Sequence, residues 1–273
     1  MAKINVTIAK ERFKGRLKVK EETRNFYNGI FIDLGELIMF TGNVIKQIFH
    51  PPFEHRELIK HGFLLGNKSF ALVVVTGFIM GLVLTMQMNP ILADFGAQTL
   101  LPGVIAVSMI RELGPVITGL ICAGKISSGI GAEIAAMRVT EQIDAMEVSG
   151  TRPLSFVVAS RVLATTMVVP LLVLFADAFS LFGAFLAVNI FEDTSVTLFV
   201  NRSFSMLGFI DLFPSTLKTV LFGFFIGLIG CYKGYTAGRG TESVGKAANS
   251  AVVASSLTIF VIDLVFVLIT SIL

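Results

Sequence analysis

Charged residues are scarce in this chain. Asp, Glu, Lys and Arg make up 15% of its 273 residues, whereas an ordinary soluble domain carries about 25%. Hydrophobic residues make up 54%, and the mean hydropathy is +0.80. The apolar residues are grouped in runs of about 20, the length of helix that crosses a hydrocarbon core of roughly 30 Å. This composition excludes a soluble domain and predicts one integrated all-α membrane domain.

Cysteine is also sparse, and so are the residue sets that support catalysis. Cys122 and Cys231 fall inside apolar runs, and two separate thiols without a CxxC or a histidine spacing predict neither a metal site nor a redox pair. No Ser-His-Asp set or pair of catalytic carboxylates stands out in the loops. We therefore expect no catalysis, metal or cofactor in this chain. The histidines are interpreted as solvated interfacial residues: His50, His55 and His61.

No apolar stretch suited to a signal peptide opens the chain. Residues 1–25 are polar and basic, which predicts a cytoplasmic arm next to an anionic leaflet, or alternatively a solvated disordered tail. Residues 26–60 form the next region, in which apolar residues recur at helical spacing from Ile30 to Ile48. We predict an amphipathic helix that lies in the interface without spanning it, ended by Pro51-Pro52.

Five long apolar stretches follow within residues 61–273. The first and fourth contain Gly77-x-x-x-Gly81 and Gly223-x-x-x-Gly227, which predict close helix contacts. The third stretch is long enough for one span or for a hairpin of two short ones. The predicted spans cover residues of about 69–88, 103–124, 154–190, 213–231 and 250–273.

The placement of positive charge decides between one span and a hairpin. With five spans, all Lys and Arg except Arg111, Arg202 and Lys218 lie on the cytoplasmic side, as the positive-inside rule requires. A hairpin would reverse the last loop, which carries Lys233, Arg239 and Lys246. We therefore predict five spans, a cytoplasmic N-terminus and a C-terminus on the outer side.

A polar segment in the cytoplasmic loop between spans two and three predicts a short helix. Thr140 is suited to cap it, Glu141 and Asp144 suit its first turn, and Gly150 and Pro153 are suited to end it. Such a helix could receive the movement of a cytoplasmic motor, although an ordinary amphipathic connector has the same spacing. Its apolar residues are expected to be available to a groove on a partner: Ile143, Met146 and Val148.

Ionisable residues inside the spans are costly, at about 2.5 to 3.5 kcal/mol each on insertion scales. Arg111 and Glu112 point about 100° apart on a helix, so we expect them to face different neighbours. Arg111 suits a phosphate and Glu112 suits the amine of a zwitterionic headgroup. Asp263 needs protonation or a partner such as Arg111. The alternative, that these charges only fix helix packing, stays open for them and for Asp177 and Lys218.

The loop before the last span contains a sequence that matches GxxxxGK, from Gly240 to Lys246. A phosphate-binding loop needs a preceding strand and a Ser or Thr after the lysine. Here Ala247 follows the lysine and a membrane span precedes the loop. No nucleotide site is predicted.

Three segments together resemble a known family. They read RELGPV at residues 111–116, EQIDAME at 141–147 and RVLA at 161–164. This combination is similar to the permease subunits of the MCE-type lipid ABC transporters, the MlaE family, and the similarity extends over roughly residues 60 to 273.

The resemblance implies a homodimer in the bacterial inner membrane, with the C-terminus in the periplasm. It further implies cytoplasmic ATPase subunits that use ATP and Mg, a periplasmic MCE-domain partner, and a phospholipid or related lipid as substrate. No nucleic acid partner is expected. The expected lipid path includes Arg111, Glu112 and Asp263, and the expected ATPase-coupling residues are Glu141, Gln142, Ile143, Asp144, Met146 and Glu147.

Two other classes of protein compete with this interpretation. An ion-coupled secondary transporter would use Arg111, Glu112 and Asp263 as relay groups and need no ATPase. Such transporters usually contain internal repeats, and the sequence shows none. A non-transporting membrane scaffold would leave the charges within the spans unexplained.

Overall fold

The computed structural model describes residues 35–48 and 55–272, which are helical apart from short turns and contain no strand within those ranges. The predicted basic arm and the Pro51-Pro52 break lie outside the described residues. Residues 35–48 form one helix, α1. Helical structure is thereby confirmed for the larger part of the amphipathic segment, and its location in the membrane interface stays a prediction.

Within the described residues, seven further helical segments follow α1: α2 His55–Asp94, α3 Gln98–Val139, α4 Gln142–Val148, α5 Leu154–Phe191, α6 Val196–Ser205, α7 Phe209–Tyr235 and α8 Thr241–Ile272. Five of those described are long and apolar enough to cross a membrane, namely α2, α3, α5, α7 and α8, so the predicted all-α fold with five spanning helices is confirmed. Most of them extend well past the apolar runs seen in the sequence.

The third apolar stretch forms a single helix. α5 begins with a π-helical turn, Leu154–Ala159, and continues as an α-helix, Ser160–Phe191, with Pro170 inside it. The hairpin alternative is therefore excluded. Because α5 is one crossing, its two ends lie on opposite sides of the helix bundle.

Both GxxxG motifs make the close helix contacts that the sequence predicts, and in both the partner helix is α5. A Cβ atom added to Gly77 of α2 would lie 2.6 Å from the carbonyl oxygen of Ala176, and Gly81 meets Ser180 in the same way. On α7, Gly227 packs against Thr165. These contacts leave no room for a side chain, so the glycines set the distance between the backbones.

The helices differ in how much of their surface the bundle covers. Over its most apolar window, α8 is only 11% buried, whereas α5 and α7 are each 50% buried. The inner face of α8 is a row of small side chains, including Ala251 and Ser255, packed on α3 and α7. Its other face presents exposed apolar side chains, among them Leu257, Val261, Leu264 and Leu268.

Candidate functional site

A π-helical turn in α3 positions the charged pair of the first motif. Residues Met109–Leu113 form this turn, in which the N–H of Gly114 donates to the carbonyl of Met109. The next residue, Pro115, has no N–H, so the carbonyl of Ile110 has no helical donor. The Ser215 hydroxyl of α7 donates to that carbonyl at 2.6 Å. The motif thus joins α3 to α7 where Arg111 and Glu112 project.

Lys218 is the centre of a buried ion cluster. Its side chain is 2% exposed, and its Nζ atom lies 2.7 Å from Oε2 of Glu112 and 2.9 Å from Oδ1 of Asp263. The three residues come from α3, α7 and α8, so one lysine ties three spanning helices together. The sequence left open protonation of Asp263 or a partner such as Arg111. The structure pairs Asp263 with Lys218 and not with Arg111, because the ammonium of α7 lies between α3 and α8.

Arg111 has weaker and longer contacts than Lys218. Its Nη1 atom is 3.4 Å from Oδ1 of Asp211, its Nη2 atom is 3.5 Å from the Thr270 hydroxyl, and its Nε atom is 3.9 Å from Glu112. The Arg111 side chain is 39% exposed. It lies with Glu112, Asp211 and Lys218 along a small cleft between α3, α7 and α8. The guanidinium therefore retains donors for a ligand.

Asp211 is a member of this cleft that sequence reasoning missed. Its Oδ2 atom accepts from the Gly208 N–H at 3.0 Å at the start of α7, while its Oδ1 atom faces Arg111. A carboxylate in the first turn of a helix commonly caps the free backbone N–H groups there, so its presence alone does not indicate a binding site. The only signal of a second role was its position near the end of a span that also carries Lys218.

Asp177 makes no ion pair of its own among the described residues, although the Lys218 ammonium acts on it electrostatically. It is 8% exposed within α5, and in the part of the chain that the structure describes its Oδ1 atom has no hydrogen-bond partner. The carboxyl group packs against Gly114, where a Cβ atom would collide with it. Gly114, next to the π-helical turn, therefore makes room for this carboxyl.

At the opposite end of α3, the expected short helix forms as α4, but its cap differs from the prediction. Thr140 ends α3, and its hydroxyl donates to the carbonyl of Ala136 at 2.9 Å. The residue before α4 is Glu141, which has φ +58° and makes no side-chain cap. The prediction that Thr140 caps this helix is wrong, because the chain turns through a left-handed Glu141 immediately after α3.

Two contacts hold α4 against the bundle. Arg138 of α3 donates to Asp144 at 2.9 Å, and the Tyr235 hydroxyl of α7 donates to Glu147 at 3.1 Å. The Arg138 guanidinium also lies over the Tyr235 ring, 5.7 Å from its centroid. A displacement of α4 would therefore be transmitted to the ends of both α3 and α7.

Ile143 is fully buried, and its side chain packs α4 against the helix bundle. The expectation that its side chain is available to a partner is wrong, since it fills the contact between α4 and the bundle. Met146 is half-buried, whereas Val148 is 91% exposed. The outward surface of α4 is therefore mainly polar and acidic: Glu141, Gln142, Asp144 and Glu147.

The RVLA motif at residues 161–164 joins α5 to α3, near the end of α3 that leads into α4. Arg161 is 5% exposed; its Nη2 atom donates to Glu133 at 2.8 Å and its Nη1 atom donates to the carbonyl of Val157 at 2.7 Å. The carbonyl of Val157 lies in the π-helical turn that opens α5. Arg161 thus stabilises an irregular helix start and fixes it to α3.

The chain matches known proteins over most of its length. The family model described as Permease MlaE matches residues 58–269. A probable ABC transporter permease protein of Rickettsia prowazekii is 38% identical over 84% of this chain and 88% of its own. A probable ABC transporter permease protein of Synechocystis is 33% identical over 81% of this chain and 84% of its own.

A plant protein is also similar. The chloroplastic protein TRIGALACTOSYLDIACYLGLYCEROL 1 of Arabidopsis thaliana is 29% identical over 83% of this chain and 65% of its own. The family match covers all three sequence motifs, the ion cluster around Lys218, and α4. The chain therefore belongs to the MlaE permease family, a family of membrane proteins whose relatives are named as ABC transporter permeases.

Proposed function

We propose that this chain is the membrane-spanning subunit of an ABC transporter that moves a phospholipid or related lipid between the bacterial inner membrane and a periplasmic MCE-domain partner. The observation that carries the proposal is the ion cluster around Lys218, set beside the half-exposed Arg111. ATP hydrolysis belongs to separate cytoplasmic ATPase subunits, so this chain itself is not an enzyme.

The charges of the cluster match a phospholipid headgroup. Two cations, Arg111 and Lys218, face three carboxylates, those of Glu112, Asp211 and Asp263. Two close carboxylates neutralise Lys218, whereas Arg111 has only contacts of 3.4 Å and longer. Arg111 is therefore the group that binds the phosphate, and Glu112, which is 34% exposed, accepts from the amine of a zwitterionic headgroup.

The proposed headgroup site and the proposed ATPase-docking site lie near opposite ends of α7. Lys218 precedes Lys233 by 15 residues in one helix, a distance of about 22 Å along its axis. The end near Lys233 contacts α4 through Tyr235 and carries the basic loop that the positive-inside rule assigns to the cytoplasm. By this orientation the Lys218 cluster lies in the outer half of the membrane, near a periplasmic partner.

The acidic surface of α4 is the proposed docking site for the ATPase. Glu141, Asp144 and Glu147 are exposed, and Gln142 lies between them. Because Arg138 and Tyr235 connect α4 to two spanning helices, movement of the ATPase subunits would shift the ends of α3 and α7. Those same helices hold Glu112 and Lys218, so ATP-driven movement would alter the headgroup site.

A second copy of the chain is proposed to complete the lipid path. α8 is the least covered of the five long helices, and its outer face is apolar. α8 also carries Asp263 and Thr270 of the cleft. A homodimer that packs near α8 would place two clefts on either side of a shared cavity, which a lipid could enter from the membrane.

The test is ATP-dependent lipid transfer by the complex purified with its native partners. The complex is reconstituted in vesicles that contain a fluorescent phospholipid, and transfer out of the vesicles is measured with ATP, without ATP, and with a proton ionophore. We expect transfer to require ATP and to resist the ionophore. Transfer that continues without ATP and stops with the ionophore would instead favour an ion-coupled transporter.

A further inference from the structure

An open groove of about 490 Å³ lies between the end of α7 and the start of α8. It is lined by three cations, Lys233, Arg239 and Lys246, and by a single carboxylate, that of Glu242. Its size falls within the range of small-molecule sites, roughly 300 to 1,000 Å³. The proposed lipid path does not include this groove, which stands at the other end of α7 from Lys218.

The single carboxylate of the groove does not neutralise its three cations. Glu242 pairs with Lys246 at 2.8 Å, but both side chains are largely exposed, at 83% and 75%, so this pair is weak and easily exchanged. Arg239 is exposed, and it has no ion pair among residues 35–48 and 55–272. Lys233 lies over the Tyr232 ring, 5.4 Å from its centroid, a contact that leaves its ammonium donors free to bind an anion.

The backbone at the start of α8 also favours an anion. α8 is 32 residues long and begins at the groove with Thr241, so its positive dipole end points into the site. The Ser243 hydroxyl oxygen lies 2.6 Å from the carbonyl oxygens of both Gly238 and Gly240 and shares its one proton between them, which holds the glycine-rich turn against the helix start. The turn therefore presents Arg239 beside the N-terminus of α8.

The groove lies at the boundary of the apolar bundle. Lys233 closes the apolar part of α7, and Ala247 and Ser250 of α8 form the inner wall of the groove, directly before the buried Ala251. Basic pockets between spanning helices on the cytoplasmic side of a membrane bind anionic lipid headgroups. A headgroup can reach this position from the lipid layer, with its acyl chains along α8.

We propose that this groove binds a phosphate anion and that the phosphate is supplied by the headgroup of an anionic phospholipid in the adjacent leaflet. The site is not a nucleotide-binding loop, since no strand precedes it in the described residues and Ala247 follows Lys246. Anion binding in the groove requires neither transport nor a particular transported lipid. The binding proposal can therefore fail while the proposed transport function holds, and the reverse is also possible.

The test measures lipid affinity by native mass spectrometry on the full chain, purified with its partners. Phosphatidylglycerol, phosphatidylcholine and inorganic phosphate are titrated separately. The variant Lys233→Gln/Arg239→Gln/Lys246→Gln removes the cations of the groove. A matched control, Arg56→Gln/Lys60→Gln/Arg152→Gln, removes the same charge from exposed positions elsewhere. The melting temperature of both variants is checked first.

Each cation of the groove that contacts a bound anionic headgroup is worth about a fivefold change in affinity, whereas Arg56, Lys60 and Arg152 do not line the groove. We therefore expect the groove variant to bind phosphatidylglycerol about 100-fold more weakly, the control variant to bind it as the unmodified chain does, and phosphatidylcholine to bind weakly throughout. Equal affinity of the two variants for phosphatidylglycerol would overturn the proposal.

Two further outcomes separate the sources of an anion. If inorganic phosphate displaces phosphatidylglycerol at equal concentration, the groove takes free phosphate, and the headgroup assignment is overturned. If the groove variant keeps its affinity for phosphatidylglycerol but loses a co-purifying ATPase, the groove is a docking surface for an acidic protein segment, and the phosphate site is overturned.

Discussion

Lys218 of α7 lies 2.7 Å from Glu112 of α3, although 106 residues separate them in sequence. Lys218 is 2% exposed and also contacts Asp263 of α8. Pairing with carboxylates offsets the cost of burying an ammonium in a membrane. These ion pairs therefore explain how Glu112, Lys218 and Asp263 are accommodated within the spans, and they leave Arg111 as the cation of the cleft with spare donors.

Replacement of Lys218 by Met is expected to destabilise the protein by about 3 to 5 kcal/mol, because it leaves Glu112 and Asp263 close together without a counter-charge. The measurement is thermal unfolding in detergent, followed with a thiol-reactive dye, since Cys122 and Cys231 are free and buried. The matched control is the neutral triple variant Glu112→Gln/Lys218→Met/Asp263→Asn, which should recover most of the lost stability. An unchanged melting temperature in Lys218→Met would refute the cluster.

Replacement of Gly77 by Ala is expected to destabilise the protein by about 1 to 3 kcal/mol, since the new Cβ atom would press on the carbonyl of Ala176 in α5. Gly129→Ala in α3 is the control, because nothing lies within 4 Å of a Cβ atom there. That control should raise stability by up to about 1 kcal/mol through helix propensity. The same dye assay measures both variants, and equal behaviour would contradict the close packing of α2 on α5.

Replacement of Arg111 by Ala is expected to reduce the amount of phospholipid that co-purifies with the protein, with a smaller effect on its stability than Lys218→Met. The reason is that Arg111 is 39% exposed and its contacts are long. Lipid is quantified by mass spectrometry after purification in mild detergent. Arg202→Ala, at a cation of α6 outside the cleft, is the control and should retain lipid. Equal lipid in both variants would remove Arg111 from the proposed lipid path.

Charge reversal at α4 is expected to uncouple ATP hydrolysis from lipid transfer. Glu141→Lys/Asp144→Lys replaces two exposed carboxylates of the proposed docking surface, and transfer in the reconstituted complex should fall at least tenfold while the spanning helices stay folded. Glu192→Lys/Asp193→Lys, which follows α5 at the opposite end of the bundle, makes the same change of charge. Normal transfer in the α4 variant, with the ATPase still bound, would argue against this docking site.

Replacement of Glu141 by Gly tests the backbone strain and the carboxylate at this position separately. The melting temperature reports the strain, and lipid transfer reports the loss of the charge. A non-glycine residue at φ +58° costs roughly 1 to 2 kcal/mol, so Glu141→Gly should raise the melting temperature slightly. If the carboxylate contributes to coupling, this variant should also transfer lipid more slowly than the unmodified complex. A lower melting temperature would show that the left-handed turn between α3 and α4 does not form.

The spans and the family could be predicted from the sequence because both depend on local patterns. Long apolar runs define the spanning helices, and the segments at 111–116, 141–147 and 161–164 are short and contiguous. The ion cluster could not be predicted, because Glu112, Lys218 and Asp263 meet only after three helices pack. All three are recognisable in the sequence as costly charges within spans, but for Asp263 the sequence left open protonation or a partner such as Arg111.

Local detail at α4 was also beyond the sequence. Thr140 satisfies the usual preference for an N-cap, but α3 runs on to Val139, so the hydroxyl bonds back to Ala136 instead. Ile143 looked like one of several apolar residues on a short helix, and only the packing shows that it faces inward. The Ser215 contact with Ile110 likewise depends on a π-helical turn that no sequence pattern announced.

The proteins and lipids that leave the native membrane together with this chain provide the strongest test of the proposed function. The protein is purified in mild detergent, and the bound proteins and lipids are identified by mass spectrometry. We expect a nucleotide-binding ATPase subunit, a second copy of the chain and bound phospholipid. A single chain that carries neither an ATPase nor a phospholipid would contradict the proposal of a lipid-transporting ABC permease.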